Sequence, residues 1–148
     1  MAALNISLVS CGDDEPETSP LFKEPCLQWG ANKSTVKNFM KDFSLAYEED
    51  DGLSYHGKYK EESTIYYFED GELSVSTVAL LTSKVSYNEL MAFLKEKYDF
   101  IKHDNENDVD LFMTKDKKSG IGLTKTDGDS ENAYFVTYID VNSPDNLK

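Results

Sequence analysis

Two stretches of the chain carry apolar residues at the spacing of one face of an α-helix. The steps between them are three, one, three and four residues in both stretches, and Ser86 and Glu89 form a capping box before the second. The apolar positions are Val36, Phe39, Met40, Phe43 and Tyr47, then Tyr87, Leu90, Met91, Leu94 and Tyr98. Each member of the second set follows its counterpart by 51 residues. The pattern predicts two amphipathic helices and an internal repeat.

Behind each helical stripe the sequence changes to short β-type segments separated by turn residues such as Glu69-Asp70-Gly71. The predicted strands are residues 53–59, 64–68 and 72–81 in the first half, and 100–103, 109–114, 121–126 and 133–141 in the second. We therefore predict an α+β fold of two tandem α-β-β-β units with an additional strand at the end. Its helices would pack on one face of a largely antiparallel sheet.

Tyrosine is frequent on the predicted strands. Its broad apolar ring and its hydroxyl suit protein contact surfaces and sugar-stacking platforms. An exposed sheet face would make Tyr66, Tyr134 and Tyr138 a candidate binding face, with Asp70 in the adjoining turn. The alternative is that sheets favour tyrosine and that alternate tyrosines point inward. The sequence leaves both interpretations open.

Composition restricts the classes of partner. The 148 residues include 15 basic and 28 acidic side chains, a net charge of −13, and every basic residue is lysine. Such a charge makes nucleic acid an unsuitable partner, because phosphates would be repelled. No apolar run approaches the roughly 20 residues of a membrane-spanning helix.

The N-terminal region resembles that of a bacterial lipoprotein. Leu8-Val9-Ser10-Cys11 is similar to a lipobox, in which the signal peptidase cuts before a cysteine that then carries a lipid, and acidic residues follow Cys11. The first ten residues lack the positive charge of a signal peptide, and their apolar core is short. We expect residues 1–10 to be a signal-peptide remnant. Residues 11–25 would form the lipid-bearing cysteine and an acidic tether, because this segment holds three prolines and many carboxylates.

The globular part is then expected at 26–148, with repeats at about 27–81 and 82–142. Cys11 has two alternative roles, a disulfide with Cys26 or a place in a frayed tail. Beside Leu27 and Trp29, Cys26 is expected to be a buried apolar residue rather than a catalytic thiol.

Residues with catalytic or metal-binding potential are sparse. His56 and His103 have no second metal ligand at a suitable spacing. The acidic segment that starts at Asp104 has Val109 where a calcium loop needs glycine and Lys115 where it needs glutamate. Phosphate-binding and nucleophile motifs are also absent from the sequence. We therefore predict no catalytic residue, no metal, no cofactor and no enzymatic activity.

A family resemblance adds to these predictions. Gly30, Lys33, Ser34 and Val36 at a helix start, followed by the segment from Tyr66 to Leu73, resemble the repeat unit of small outer-membrane lipoproteins of the SmpA/OmlA type. Beta-lactamase inhibitory protein carries two copies of a similar unit. The resemblance implies a non-enzymatic protein of the cell envelope that binds other proteins.

From this we predict a lipid-anchored envelope protein, at the outer membrane or cell surface, that acts as a protein-binding or scaffolding module. Its partner would be another envelope protein. Two alternatives remain: a glycan or small-ligand binding protein, and an inhibitor of an extracytoplasmic hydrolase that inserts loop residues such as Asp50 and Asp70.

Overall fold

In residues 20–126 and 132–142, which the computed structural model describes, the chain forms eight strands and two helices. The strands are β1 Leu45–Glu49, β2 Gly52–His56, β3 Ser63–Glu69, β4 Glu72–Leu81, β5 Asp99–Asp104, β6 Val109–Met113, β7 Ser119–Thr126 and β8 Ala133–Asp140; the helices are α1 Lys33–Phe39 and α2 Tyr87–Lys97. The strands make one sheet in the order β1-β2-β3-β4-β8-β7-β6-β5, and all neighbours are antiparallel.

The predicted α+β fold class is wrong, and the fold is closer to all-β. The helices contain only 7 and 11 residues, whereas the sheet extends over eight strands. The error began at the first apolar stripe, because α1 ends at Phe39 and Tyr47 belongs to β1. Every residue of β1 is exposed. A strand without a buried face lacks the alternation that reveals strands in a sequence. Each half therefore has one helix followed by four strands.

The second predicted helix is confirmed at Tyr87–Lys97. The Ser86 side chain accepts a hydrogen bond from the backbone N–H of Glu89 at 3.1 Å, and the Glu89 side chain accepts one from the backbone N–H of Ser86. This reciprocal pair satisfies donors that the first helical turn leaves free. The helix buries Leu90, Met91 and Leu94 against the sheet.

One face of the sheet, here the inner face, is covered by both helices. Beneath α2 lies a core formed by β4, β6, β7 and β8, and beneath α1 lies a second core formed by β2, β3 and the start of β4. The first contains Val78, Leu80, Phe112, Ile121, Leu123, Tyr134, Val136 and Tyr138; the second contains Leu53, Tyr55, Tyr66, Phe68 and Leu73. We call the opposite side the outer face. Among the described residues, neither helix lies on it.

The segment 20–31 crosses the inner face and joins the two cores. Leu21 and Phe22 are buried beneath α2, and Cys26 is buried with the α1 core. The Cys26 backbone N–H donates to the Tyr66 hydroxyl at 2.9 Å, and the Ser76 hydroxyl donates to the Cys26 carbonyl at 2.8 Å. The folded part thus begins before Cys26, and the predicted tether end at Pro25 is too late. Burial of Leu21 and Phe22 stabilises the folded state, because it removes their apolar surface from water.

From either edge of the sheet to its centre, the four strands follow one another in chain order: β1 to β4 from one edge and β5 to β8 from the other. Strands β4 and β8 are antiparallel neighbours at the centre. The two halves are therefore arranged as a twofold rotation about an axis perpendicular to the sheet would place them. In the part of the chain described here, neither helix has the length and apolar character needed to cross a membrane.

Candidate functional site

The outer face is the candidate functional surface. Strand register shows which side chains share it, because residues directly opposite on antiparallel neighbours point to the same side. Across β3, β4, β8, β7 and β6 these positions are Ser63, Ile65, Tyr67, Val75, Thr77, Ala79, Leu81, Ala133, Phe135, Thr137, Ile139, Gly120, Gly122, Thr124, Thr126, Val109, Leu111 and Met113.

Apart from Glu69 and Glu72 beside the β3–β4 turn, the outward positions of these five strands carry no charged side chain, although 29% of the whole chain is charged. Charged residues on this side lie at the margin, where Asp99, Lys102 and Asp104 of edge strand β5 stand opposite Met113, Leu111 and Val109. A solvated face of an antiparallel sheet ordinarily alternates with polar and charged residues. Soluble domains also mix charges over their surfaces. A large uncharged and mostly apolar face is therefore typical of a surface that contacts another molecule.

Two glycines form the floor of a groove on this face. The groove encloses about 370 Å³ and is lined by side chains of Ile101, Leu111, Met113, Thr137 and Ile139 beside Gly120 and Gly122. A Cβ atom at position 122 would approach Val109 Cγ1 to 3.2 Å, and one at position 120 would approach Val141 Cγ1 to 3.4 Å. The missing side chains thus leave an apolar depression beside projecting neighbours.

Charges lie instead at the margin of the sheet, on its edge strands and in the turns at the ends of the strands. Asp50, Asp51, Asp70 and Glu49 border one depression at the end where β1 meets β2 and β3 meets β4. Asp70 is exposed and lies in the left-handed region at φ 54°, which aspartate tolerates in a tight turn. Its predicted role in binding stays a prediction.

The three tyrosines of the predicted binding face lie on the inner face instead. Tyr66 and Tyr138 are 0% exposed and Tyr134 is 6% exposed, so they belong to the core and cannot form a contact surface. Burial raises the pKa of Tyr66 and of Tyr138 well above the ordinary tyrosine value. The inward alternative from the sequence is the one that the structure shows.

The hydroxyl groups of the buried tyrosines Tyr138 and Tyr98 have hydrogen-bond partners. The Tyr138 and Tyr98 hydroxyls are 2.9 Å apart, and Tyr98 donates to Glu24 Oε2 at 2.7 Å. Burial is the main cause that raises the pKa of Tyr98. Because a buried hydroxyl without a partner is unfavourable, this chain of hydrogen bonds lets tyrosine occupy the core.

A cluster of polar side chains around His103 was not predicted from the sequence. Asp110, only 4% exposed, accepts from Tyr87 at 2.7 Å and pairs with His103 Nδ1 at 2.8 Å; His103 Nε2 lies 3.3 Å from Asp108. The Asp110 hydrogen bond is the main cause that raises the pKa of His103. Burial, then Asp110, raises the pKa of Tyr87 to about 12. Since His103 and Asp110 are opposite in the β5–β6 register, only strand pairing could have revealed them.

This cluster has the chemistry of an ion pair that joins α2 to β5 and β6. Both ring nitrogens of His103 face carboxylates, an arrangement that favours the protonated ring. Within the described ranges, His, Cys, Asp and Glu form no group of three or more that could hold a metal ion.

Of the two cysteines, only Cys26 lies among the described residues. Cys26 is a free, buried thiol, and burial raises its pKa, so it is poorly suited to act as a nucleophile. The prediction of a buried apolar Cys26 is confirmed. Cys11, the predicted lipidation site, lies outside the described residues, as do the predicted signal remnant and the start of the tether.

No protein-family model, curated protein or solved structure matches this chain. The resemblance to envelope lipoproteins therefore stays a prediction.

Proposed function

We propose that this chain is a lipid-anchored protein of the cell envelope that acts as a non-catalytic protein-binding module through the outer face of its sheet. The observation that carries the proposal is the uncharged centre of that face in a strongly acidic chain. Burial against a partner would remove apolar surface from water without leaving charges unpaired.

The chemistry of the face favours a protein over a sugar. Sugar recognition needs several free hydrogen-bonding groups around an aromatic platform. At the centre of the outer face the hydroxyl of Thr77 donates to that of Thr137 at 3.4 Å, and the groove beside them is almost entirely apolar. The matching partner has a broad apolar surface, without charge at its centre and with charges at its margin.

A site-specific crosslinking experiment tests the proposed contact face. A photo-crosslinking amino acid replaces Thr137 at the centre of the face, or Ala92 on the exposed side of α2 as the control, in cells that express the full chain. We expect protein adducts from position 137 and none from position 92. Equal yields from the two positions would contradict the proposal.

The lipid anchor is tested separately. We expect radiolabelled fatty acid to be incorporated into the full chain, and Cys11→Ser to abolish the label. Label that persists in this variant would exclude Cys11 as the lipid attachment site.

A further inference from the structure

We propose that the partner of the outer face is a second copy of this chain, so that two sheets pack face to face in a symmetric dimer. This inference rests on the proposed function of the outer face and names its partner. The chain itself presents the surface that such a partner requires: broad, apolar and without charge at its centre.

The strand register gives this face a row-by-row geometry. One row across β3, β4, β8, β7 and β6 consists of Tyr67, Val75, Ile139, Gly120 and Met113. The next consists of Ile65, Thr77, Thr137, Gly122 and Leu111. In both rows a side chain on β3 and a glycine on β7 stand at equal distances from the sheet centre between β4 and β8.

A twofold axis parallel to β4 and β8 therefore makes the face complementary to itself. It lays β3 of one copy over β7 of the other and keeps each row in place. Tyr67, which is 50% exposed, then stands over Gly120 of the second copy, and Ile65 stands over its Gly122. Two sheets that pack in this way are rotated by about 30° relative to each other. A contact about 7 Å from the centre of the interface is then displaced by only about 4 Å. The groove of about 370 Å³ can still receive the projecting ring.

The same axis matches the charges at the margin. The acidic turns around Asp50 and Asp70 and the turn 115–118, with three lysines and one aspartate, lie at the same end of the sheet in opposite halves. Rotation about the axis places the acidic turns of one copy opposite the lysine turn of the other. Lys115 and Lys117 also pair with Asp99 of their own chain at 2.7 and 3.6 Å, so the match between copies favours this orientation but adds only modest affinity.

The size of the face is sufficient for a specific dimer. The axis also lays β6 of one copy over β2 of the other, so the overlap covers the six strands from β2 to β6 in sheet order. Six strands about 4.8 Å apart and seven residues of about 3.4 Å give a footprint on the order of 700 Å², before the relief of the side chains is counted. Stable interfaces bury about 800 Å² of accessible surface per partner. Edge-to-edge pairing is less suitable, because both edge strands contain irregularities in register.

Sedimentation equilibrium of the full chain tests the dimer. We expect a reversible dimer at micromolar concentration, which Thr137→Lys converts to a monomer by placing two like charges near the axis. Tyr67→Ala should weaken the dimer about tenfold, since it removes the projecting ring. Tyr59→Ala, at an exposed tyrosine away from the face, is the matched control and should leave it unchanged.

Gly120→Val separates this geometry from non-specific adhesion. The added side chain enlarges the apolar surface, which would strengthen a merely sticky face, but it fills the groove and should weaken the proposed dimer about tenfold. Circular dichroism spectra verify that each variant is folded. Two results would overturn the inference. One is a wild-type chain that stays monomeric at a concentration about 100 times the expected micromolar dissociation constant. The other is a dimer whose dissociation constant neither Tyr67→Ala nor Gly120→Val changes. If the chain is monomeric yet position 137 crosslinks to a different protein, the proposed function stands and only the second copy is excluded.

Discussion

The inner and outer faces of the sheet differ in what covers them, even though the same strands build both. Tyr66 and Tyr67 are neighbours on β3, yet the first is 0% exposed and the second 50% exposed. On the inner face, the helices and the segment 20–31 bury apolar residues, and hydrogen bonds satisfy the tyrosine hydroxyls. On the outer face, no described helix covers the uncharged centre, where residues such as Tyr67 remain accessible.

This difference shows that apolar content alone does not identify the core of a sheet. Central strands β4 and β8 are apolar on both sides, but the described elements cover only one side. A strand that must only stabilise the monomer gains little from apolar residues that face water. We infer that the inner face stabilises the fold and the outer face serves association, and substitutions can separate these roles.

The largest expected effect is on folding stability, from truncation of a leucine on the covered side. Leu90→Ala, in α2 at 0% exposure, should lower the free energy of unfolding by about 3 kcal/mol because it leaves a cavity in the core. Leu111→Ala on the outer face should cost about 1 kcal/mol or less. Urea denaturation at a protein concentration too low for association measures both. Equal losses would remove the distinction between the two faces.

A smaller effect is expected from the paired tyrosines of β3. Tyr66→Phe removes the acceptor of the Cys26 backbone N–H, which is buried, and should cost about 1–3 kcal/mol. Tyr67→Phe removes a hydroxyl from the outer face and should change the free energy of unfolding by less than about 0.5 kcal/mol. Urea denaturation of the two single variants makes the comparison. A Tyr66→Phe protein as stable as wild type would show that water readily replaces the lost acceptor.

The sequence predicted an element correctly where its local signals agreed. It did not predict which face of a strand the other elements would cover. Helix α2 was predictable, because its capping box and apolar stripe lie in one short segment. Strand β1 was missed because all of its residues are exposed, and the apolar stripe of α1 continued by coincidence to Tyr47. Alternation separates Tyr66 from Tyr67, but it does not say which of them a helix will cover.

The candidate site shows the same limit. Its rows of residues come from four strand pairings. One of them, between β4 and β8, joins residues 52 to 64 positions apart in the sequence. No sequence motif marks Gly120 and Gly122 as part of a binding surface. Their place at the floor of a groove depends on β6 and β8 lying beside β7.

The smallest expected effect is a pH dependence from the inner-face pair of His103 and Asp110. The hydrogen bond to Asp110, and then the nearby charges of Asp110, Asp108 and Asp104, raise the pKa of His103 above its ordinary value against a smaller opposing effect of burial. The protonated ring is therefore favoured in the folded state. Its contribution to stability is fully present below the unfolded-state pKa of about 6.5 and is lost as the pH rises through the higher folded-state pKa.

Accordingly, the urea midpoint of the wild-type chain should fall between pH 6 and pH 8 by more than that of His103→Gln. His56→Gln, which changes an exposed histidine at the end of β2, is the matched control and should keep the wild-type slope. Carboxylates that titrate below this window, such as Asp99 with its pKa lowered by Lys115, affect all three proteins alike. If His103→Gln keeps the full wild-type slope, the pair with Asp110 does not contribute to stability in this range, and the inner face is stabilised by its apolar contacts and tyrosine hydrogen bonds alone.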